Sequence, residues 1–162
     1  MMAFRPLVLA VTVAVLVGCG SSAPRADGQV ADVKPPENLD DARQLWRQSG
    51  VAHYVVTAQQ TCFCPRELVQ PIRLEVENGR VVAMEGLNQP LNHLSQADAR
   101  RMTVEGLFEF IQKAVDRQAH KLDVSYDSEF GFPTHIDYDG HPMMADDELQ
   151  FRLSDFDPVT VR

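Results

Sequence analysis

The sequence predicts an α+β fold, an antiparallel sheet of about six strands with two helices packed on one face. Several short stretches alternate apolar and polar residues, the two-residue period of half-buried strands. Two longer stretches place apolar residues at i, i+3, i+4 and i+7, the period of amphipathic helices. Links between neighbouring strands are short, which favours hairpins over the long crossovers that parallel strands need.

The elements follow in order. ENLDDARQLWRQSG sets Leu39, Ala42, Leu45 and Trp46 on one helical face, with acidic residues in the first turn and Gly50 as a stop. Trp46 reads as a core anchor. VAHYVVTAQ alternates and is rich in β-branched residues, so it forms a strand that enters a cysteine loop. In IRLEVENGRVVAME, Ile72, Leu74 and Val76 alternate with charges, Asn78-Gly79 supplies the turn, and Val81 to Met84 returns. Residues 87–102 are a polar connection with a short helical turn after Ser95. TVEGLFEFIQKAVDRQ gives the best helix, capped by Thr103, with Val104, Leu107, Phe108, Ile111, Ala114 and Val115 as its core stripe. Three further strands carry Leu122, Val124 and Tyr126, then Thr134, Ile136 and Tyr138, then Leu149, Phe151 and Leu153. The order helix, three strands, helix, three strands raises an αβββ duplication, although the two halves share no convincing identity.

The start of the chain has a different character. Arg5 precedes an apolar run from Leu7 to Gly18. The run is shorter than the roughly 20 residues that span a bilayer and has the flanks of a secretory signal peptide. It ends in Leu16-Val17-Gly18-Cys19, which resembles the lipobox of bacterial lipoproteins. That resemblance implies that residues 1–18 are removed and that Cys19 carries acyl chains, which anchor stably when two or more insert. An ordinary signal peptide with a chance cysteine is the alternative. Gly20 and Ser21 follow without an aspartate. By likeness to the sorting rule of Gram-negative lipoproteins, this favours the outer membrane, facing the periplasm. Residues 19–38 are small, polar and proline-bearing, and read as a flexible tether. Residues 39–162 then form a single domain.

The chain of 162 residues has 15 basic and 23 acidic side chains. Removing residues 1–18 takes away Arg5 alone and leaves a formal charge of −9. Such a balance argues against nucleic acid and against electrostatic binding to anionic headgroups.

Cys62 and Cys64, in TCFCPREL, are the thiols left once Cys19 is lipidated. Outside the reducing cytosol a disulfide is the favoured reading. Two residues along a strand separate Cα atoms by roughly 6.6 Å, near the upper limit for a bridge, so the chain must bend at Phe63. A redox centre and a metal clamp stay open. No Cys-x-x-Cys accompanies a βαβ pattern, and two sulfurs alone make weak metal evidence.

Trp46 and Tyr54, Cys62-Phe63-Cys64-Pro65, the Asn78-Gly79 hairpin and Thr103 to Phe108 come in a fixed order with Tyr126-Asp127, Phe132-Pro133-Thr134, Ile136 to Asp139 and Ala145 to Glu148. Together they resemble the bacterial family of unknown function numbered 6174, over roughly residues 42–155. The resemblance implies an envelope location, as lipoprotein or secreted protein, and carries no activity.

The remaining candidates are sites of binding. His135, Asp137, Asp139 and His141 repeat with period two, so a straight strand sets all four on one face, a donor set that suits zinc or copper. Asp139-Gly140 reads as a turn that would break the row. Asp146-Asp147-Glu148 reads as a solvated turn, since no calcium-hand spacing surrounds it. Neither a nucleophile elbow, a zinc helix nor a phosphate loop is present, so no catalytic residue and no cofactor is assigned. Two loops mix aromatic residues with proline, and Phe63, Pro65, Phe130 and Phe132 are the binding candidates. The expected partners are membrane lipid, through Cys19, and an envelope protein of unknown identity.

Overall fold

A computed structural model describes residues 34–144 and 146–159. The expected lipidation site Cys19, the signal segment and most of the tether lie outside the described residues.

Helix α1, Leu39–Ser49, begins where the Asn38 side chain accepts the Asp41 N–H at 2.9 Å, and ends at Gly50 in the left-handed region. Its buried residues, Ala42 and Trp46, lie one turn apart on the predicted face. Strands β1, His53–Thr61, β2, Ile72–Glu77, and β3, Arg80–Gly86, follow as a meander. The β2–β3 turn needs positive φ at both central residues, and Asn78 and Gly79 have φ of 50° and 72°.

The polar connection holds a short helix α2, Gln96–Ala99, capped by Ser95, and a 3₁₀ turn, Arg100–Met102. Helix α3, Val104–Asp116, starts at Thr103, whose hydroxyl oxygen accepts the Gly106 N–H at 3.1 Å. Gly106 is required by close approach, since a Cβ there would stand 2.1 Å from the Arg100 carbonyl oxygen. Strands β4, Lys121–Tyr126, β5, Pro133–Asp139, and β6, Leu149–Pro158, make a second meander.

The sheet order is β3-β2-β1-β6-β5-β4 with every neighbouring pair antiparallel. The fold is therefore α+β, and the described residues form one six-stranded sheet and three short helices, where the sequence predicted two. The meanders meet through β1 and β6, the first strand of one and the last of the other. The two αβββ runs thus occupy unlike places, because β1 is central and β4 lies at an edge.

One continuous core lies beneath the helices. Tyr54, Val56, Ile72, Leu74, Val76 and Ile136 are fully buried on the sheet, against Met102, Val104, Leu107 and Ile111. Residues of opposite parity, such as Arg73, Thr57 and Ser154 in one cross-strand row, make the polar outer face. Val115 leaves the expected stripe of α3 and is 51% exposed at the sheet edge.

Candidate functional site

Four strand ends meet at one end of the sheet, where β1 and β5 finish and β4 and β6 begin. Cross-strand pairing there sets Thr61 beside Gln150, Gln150 beside Asp137 and Asp137 beside Asp123, a polar row on the outer face.

The cysteine loop leaves this end of β1. Cys62 and Cys64 are joined as a disulfide with Cα atoms 5.2 Å apart. The Cys64 N–H donates to the Cys62 carbonyl at 2.9 Å, closing the backbone bend at Phe63. With its neighbours tied together, the Phe63 side chain points out and is 92% exposed. Pro65 is exposed as well and stands at the rim of a second, more apolar hollow against Leu68 and Leu94. Behind that hollow the Glu67 carboxylate accepts the N–H groups of His93 and Leu94 at 2.8 and 2.9 Å. Those backbone donors, His93 first, hold its carboxyl below the usual range.

Beside Phe63 and Cys62 lies a cleft of about 470 Å³, bounded by Lys121, Asp137, Asp139 and Glu148. Lys121 Nζ donates to Asp137 Oδ2 at 2.7 Å and lies 3.8 Å from Asp123 Oδ2. Its pKa is raised, chiefly by the hydrogen bond to Asp137. Asp137 is thereby satisfied within the protein, whereas Glu148 is exposed at the cleft wall. The cleft thus offers an aromatic side chain beside spare negative charge.

The candidate metal row does not assemble, and the turn expected at Asp139-Gly140 is present. His135 sits mid-sheet between Ser125 and Arg152, its Nδ1 shielded and without a hydrogen-bond partner. Asp137 is committed to Lys121. Asp139 Oδ1 accepts the His141 N–H at 3.0 Å, and His141 Nδ1 accepts the Met143 N–H at 3.2 Å, so the chain turns here and leaves the strand. Among the described residues, no group of three or more His, Cys, Asp or Glu side chains is placed to hold a metal.

The second aromatic loop is also corrected. Phe132 is 4% exposed and stacks on Phe156 with centroids 4.5 Å apart, and Phe130 packs on the same ring at 5.2 Å. Trp46 and Tyr54 complete the cluster. Phe132 is a core residue and Phe130 is half-buried against the core, because β6 runs far enough to bring Phe156 beneath their loop. Of the four loop candidates, the exposed pair is Phe63 and Pro65.

Of the residues that line the cleft, Glu148 reads in the sequence only as part of a solvated acidic turn, and Lys121 was not legible as a site residue. Lys121 showed only the alternation of a strand, and its pairing opposite Asp139 depends on the β4–β5 register.

The family model of DUF6174, a family of unknown function, matches residues 38–158. This span runs from the cap of α1 to the end of β6, and so takes in the whole sheet and its helices. The chain belongs to DUF6174. No curated protein and no solved structure matches it. Within this DUF6174 domain, among the described residues, no helix is long and apolar enough to cross a membrane.

Proposed function

We propose that this DUF6174 protein is a lipid-anchored, non-enzymatic module of the bacterial envelope that holds a protein partner at the disulfide-tipped end of its sheet. The observation that carries the reading is Phe63. A large apolar side chain, 92% exposed on a loop closed by a disulfide, stands beside a cleft with spare carboxylates. A pre-bent loop limits the ordering entropy lost on binding, and an aromatic anchor beside charge suits a basic segment that carries an apolar residue. The Leu16 to Cys19 motif supports the anchor.

The test places a photoreactive side chain at position 63 of the full chain in intact cells. The expected result is one discrete adduct with an envelope protein, lost when Asp139 and Glu148 are both changed to Lys. An adduct pattern equal to that from exposed Arg47 overturns the site. For the anchor, Cys19→Ser should abolish both membrane sedimentation and incorporation of a palmitate analogue. A Cys19→Ser chain that still sediments with membranes rejects it.

Exposure of Cys64 favours a second reading, thiol–disulfide exchange with a partner's cysteine. A reduction potential below about −300 mV, the range of inert structural bonds, removes it.

A further inference from the structure

The two outer strands of the sheet are treated differently. Helix α2 packs along β3, and Gln96 Nε2 donates to the Val82 carbonyl at 3.0 Å, so that edge already has cover. Strand β4 is last in the sheet order. Beside it runs a groove of about 460 Å³, whose apolar lining includes Leu39, Ile111, Val115, Leu122 and Val124. Leu122 and Val124 are only half-buried there. Among the described residues no strand pairs with the outer side of β4, and such an edge beside apolar surface is a template for another strand.

We propose that this edge pairs with β4 of a second copy of the chain, antiparallel about a two-fold axis at Val124, so that two six-stranded sheets become one continuous sheet. Charge pattern and strand length together point to the occupant and the register. In a two-fold pairing the residues facing each other have numbers with a constant sum, and that sum must be even to keep Leu122, Val124 and Tyr126 on the helix side of both sheets. Centred on Asp123, the pairing sets Asp123 against its own counterpart. Centred on Ser125, it sets Asp123 against Asp127. Both place like charges directly opposite, which is destabilising, and centring on Leu122 or Tyr126 leaves at most three residues of β4 paired.

Centred on Val124, Asp123 faces Ser125, Leu122 faces Tyr126 and Val124 faces itself, while Lys121, held by Asp137, lies across from Asp127, the first residue past β4, whose Oδ1 accepts the Glu129 and Phe130 N–H groups. The strand thus meets its own reverse in this register without like charges opposed. Pairing also brings each copy's groove against the other's apolar edge, covering Leu122, Val124 and Val115. The inference is independent of the cleft at the cysteine loop, since neither Phe63 nor the disulfide takes part.

The test uses the full chain in intact cells, with one added cysteine at a time oxidised, the products separated without reductant, and the parent chain with its native Cys19, Cys62 and Cys64 as the blank. Val124→Cys should give a covalent dimer, because only that residue meets its own counterpart. Leu122→Cys, which faces Tyr126 of the second copy, should not. In the Val124→Cys background, Ser125→Asp sets a carboxylate against Asp123 twice, so the dimer yield at limiting protein should drop about tenfold. Ser125→Lys should retain it. Ser125 is exposed, so both changes are compatible with folding, and matching melting curves check this. Absence of the Val124→Cys dimer, an equal yield from Leu122→Cys, indifference to Ser125→Asp, or an adduct with a different protein in place of the dimer each overturns the proposal.

Discussion

The phenol of Tyr54 donates to Glu105 Oε2 at 2.8 Å and accepts the Val104 N–H at 3.0 Å, tying β1 to the first turn of α3. Tyr54 is fully buried, so this hydroxyl substitutes for water at a helix start that Thr103 caps only in part. Tyr54→Phe keeps the ring and removes the hydroxyl, leaving the Val104 N–H without its partner. The expected loss is about 1–3 kcal/mol, the cost of an orphaned buried donor. Urea unfolding measures it as a lower midpoint with an unchanged slope.

The same phenol gives the fold an alkaline limit. Burial first, then the Glu105 charge, pushes Tyr54 far above its ordinary pKa of 10.0. Burial raises Tyr126 to about 12. A group whose folded pKa is raised contributes its full stability below the unfolded value and loses it as pH climbs towards the folded one. Stability should therefore hold up to about pH 10 and then fall by about 1.4 kcal/mol per pH unit for each such phenol. Tyr54→Phe removes one phenol's share of that slope. Urea midpoints between about pH 9 and 11.5 test this, and equal slopes in both proteins would falsify the assignment.

Phe63 and Phe132 sit next to similar loop chemistry yet should respond oppositely to truncation. Phe63→Ala removes an almost fully exposed ring, so melting should stay within about 0.5 kcal/mol of the parent. Phe132→Ala opens a cavity under Phe156, and the expected cost is about 3–5 kcal/mol. Thermal unfolding of both variants separates a displayed side chain from a packed one. A loss at Phe63 as large as that at Phe132 would make the cysteine loop part of the core.

That contrast marks what the sequence could convey. Strand alternation and helix caps are local, so Leu74, Asn78-Gly79 and Thr103 announced their roles directly. Aromatic burial in a loop is not local. Phe132 is covered by Phe156, and that meeting exists only because β6 lies between β1 and β5. The same strand order assembles the cleft, drawing Lys121, Asp137 and Glu148 to Phe63 from distant stretches. His135, Asp137, Asp139 and His141 failed for the reverse reason. Period two gave a shared face, but the turn at Gly140 moved His141 off the strand before a ligand set could form.

The disulfide should matter for the shape of the loop far more than for the stability of the fold. Cys62 and Cys64 enclose a single residue, and constraining so short a loop in the unfolded chain contributes about 1.6 kcal/mol at most. The core nearby is supplied by Ala58, Ile72 and Phe151, which do not depend on the bond. A Cys62→Ser/Cys64→Ser double variant should thus unfold cooperatively, within about 2 kcal/mol of the parent. Its photoreactive adduct from position 63 should weaken sharply, because the bend that turns Phe63 outward is no longer closed through the side chains. Intact mass of the parent, before and after reduction, should differ by two hydrogens. A double variant that keeps the full adduct yield would mean that the backbone bond from Cys64 N–H to the Cys62 carbonyl is enough to present Phe63.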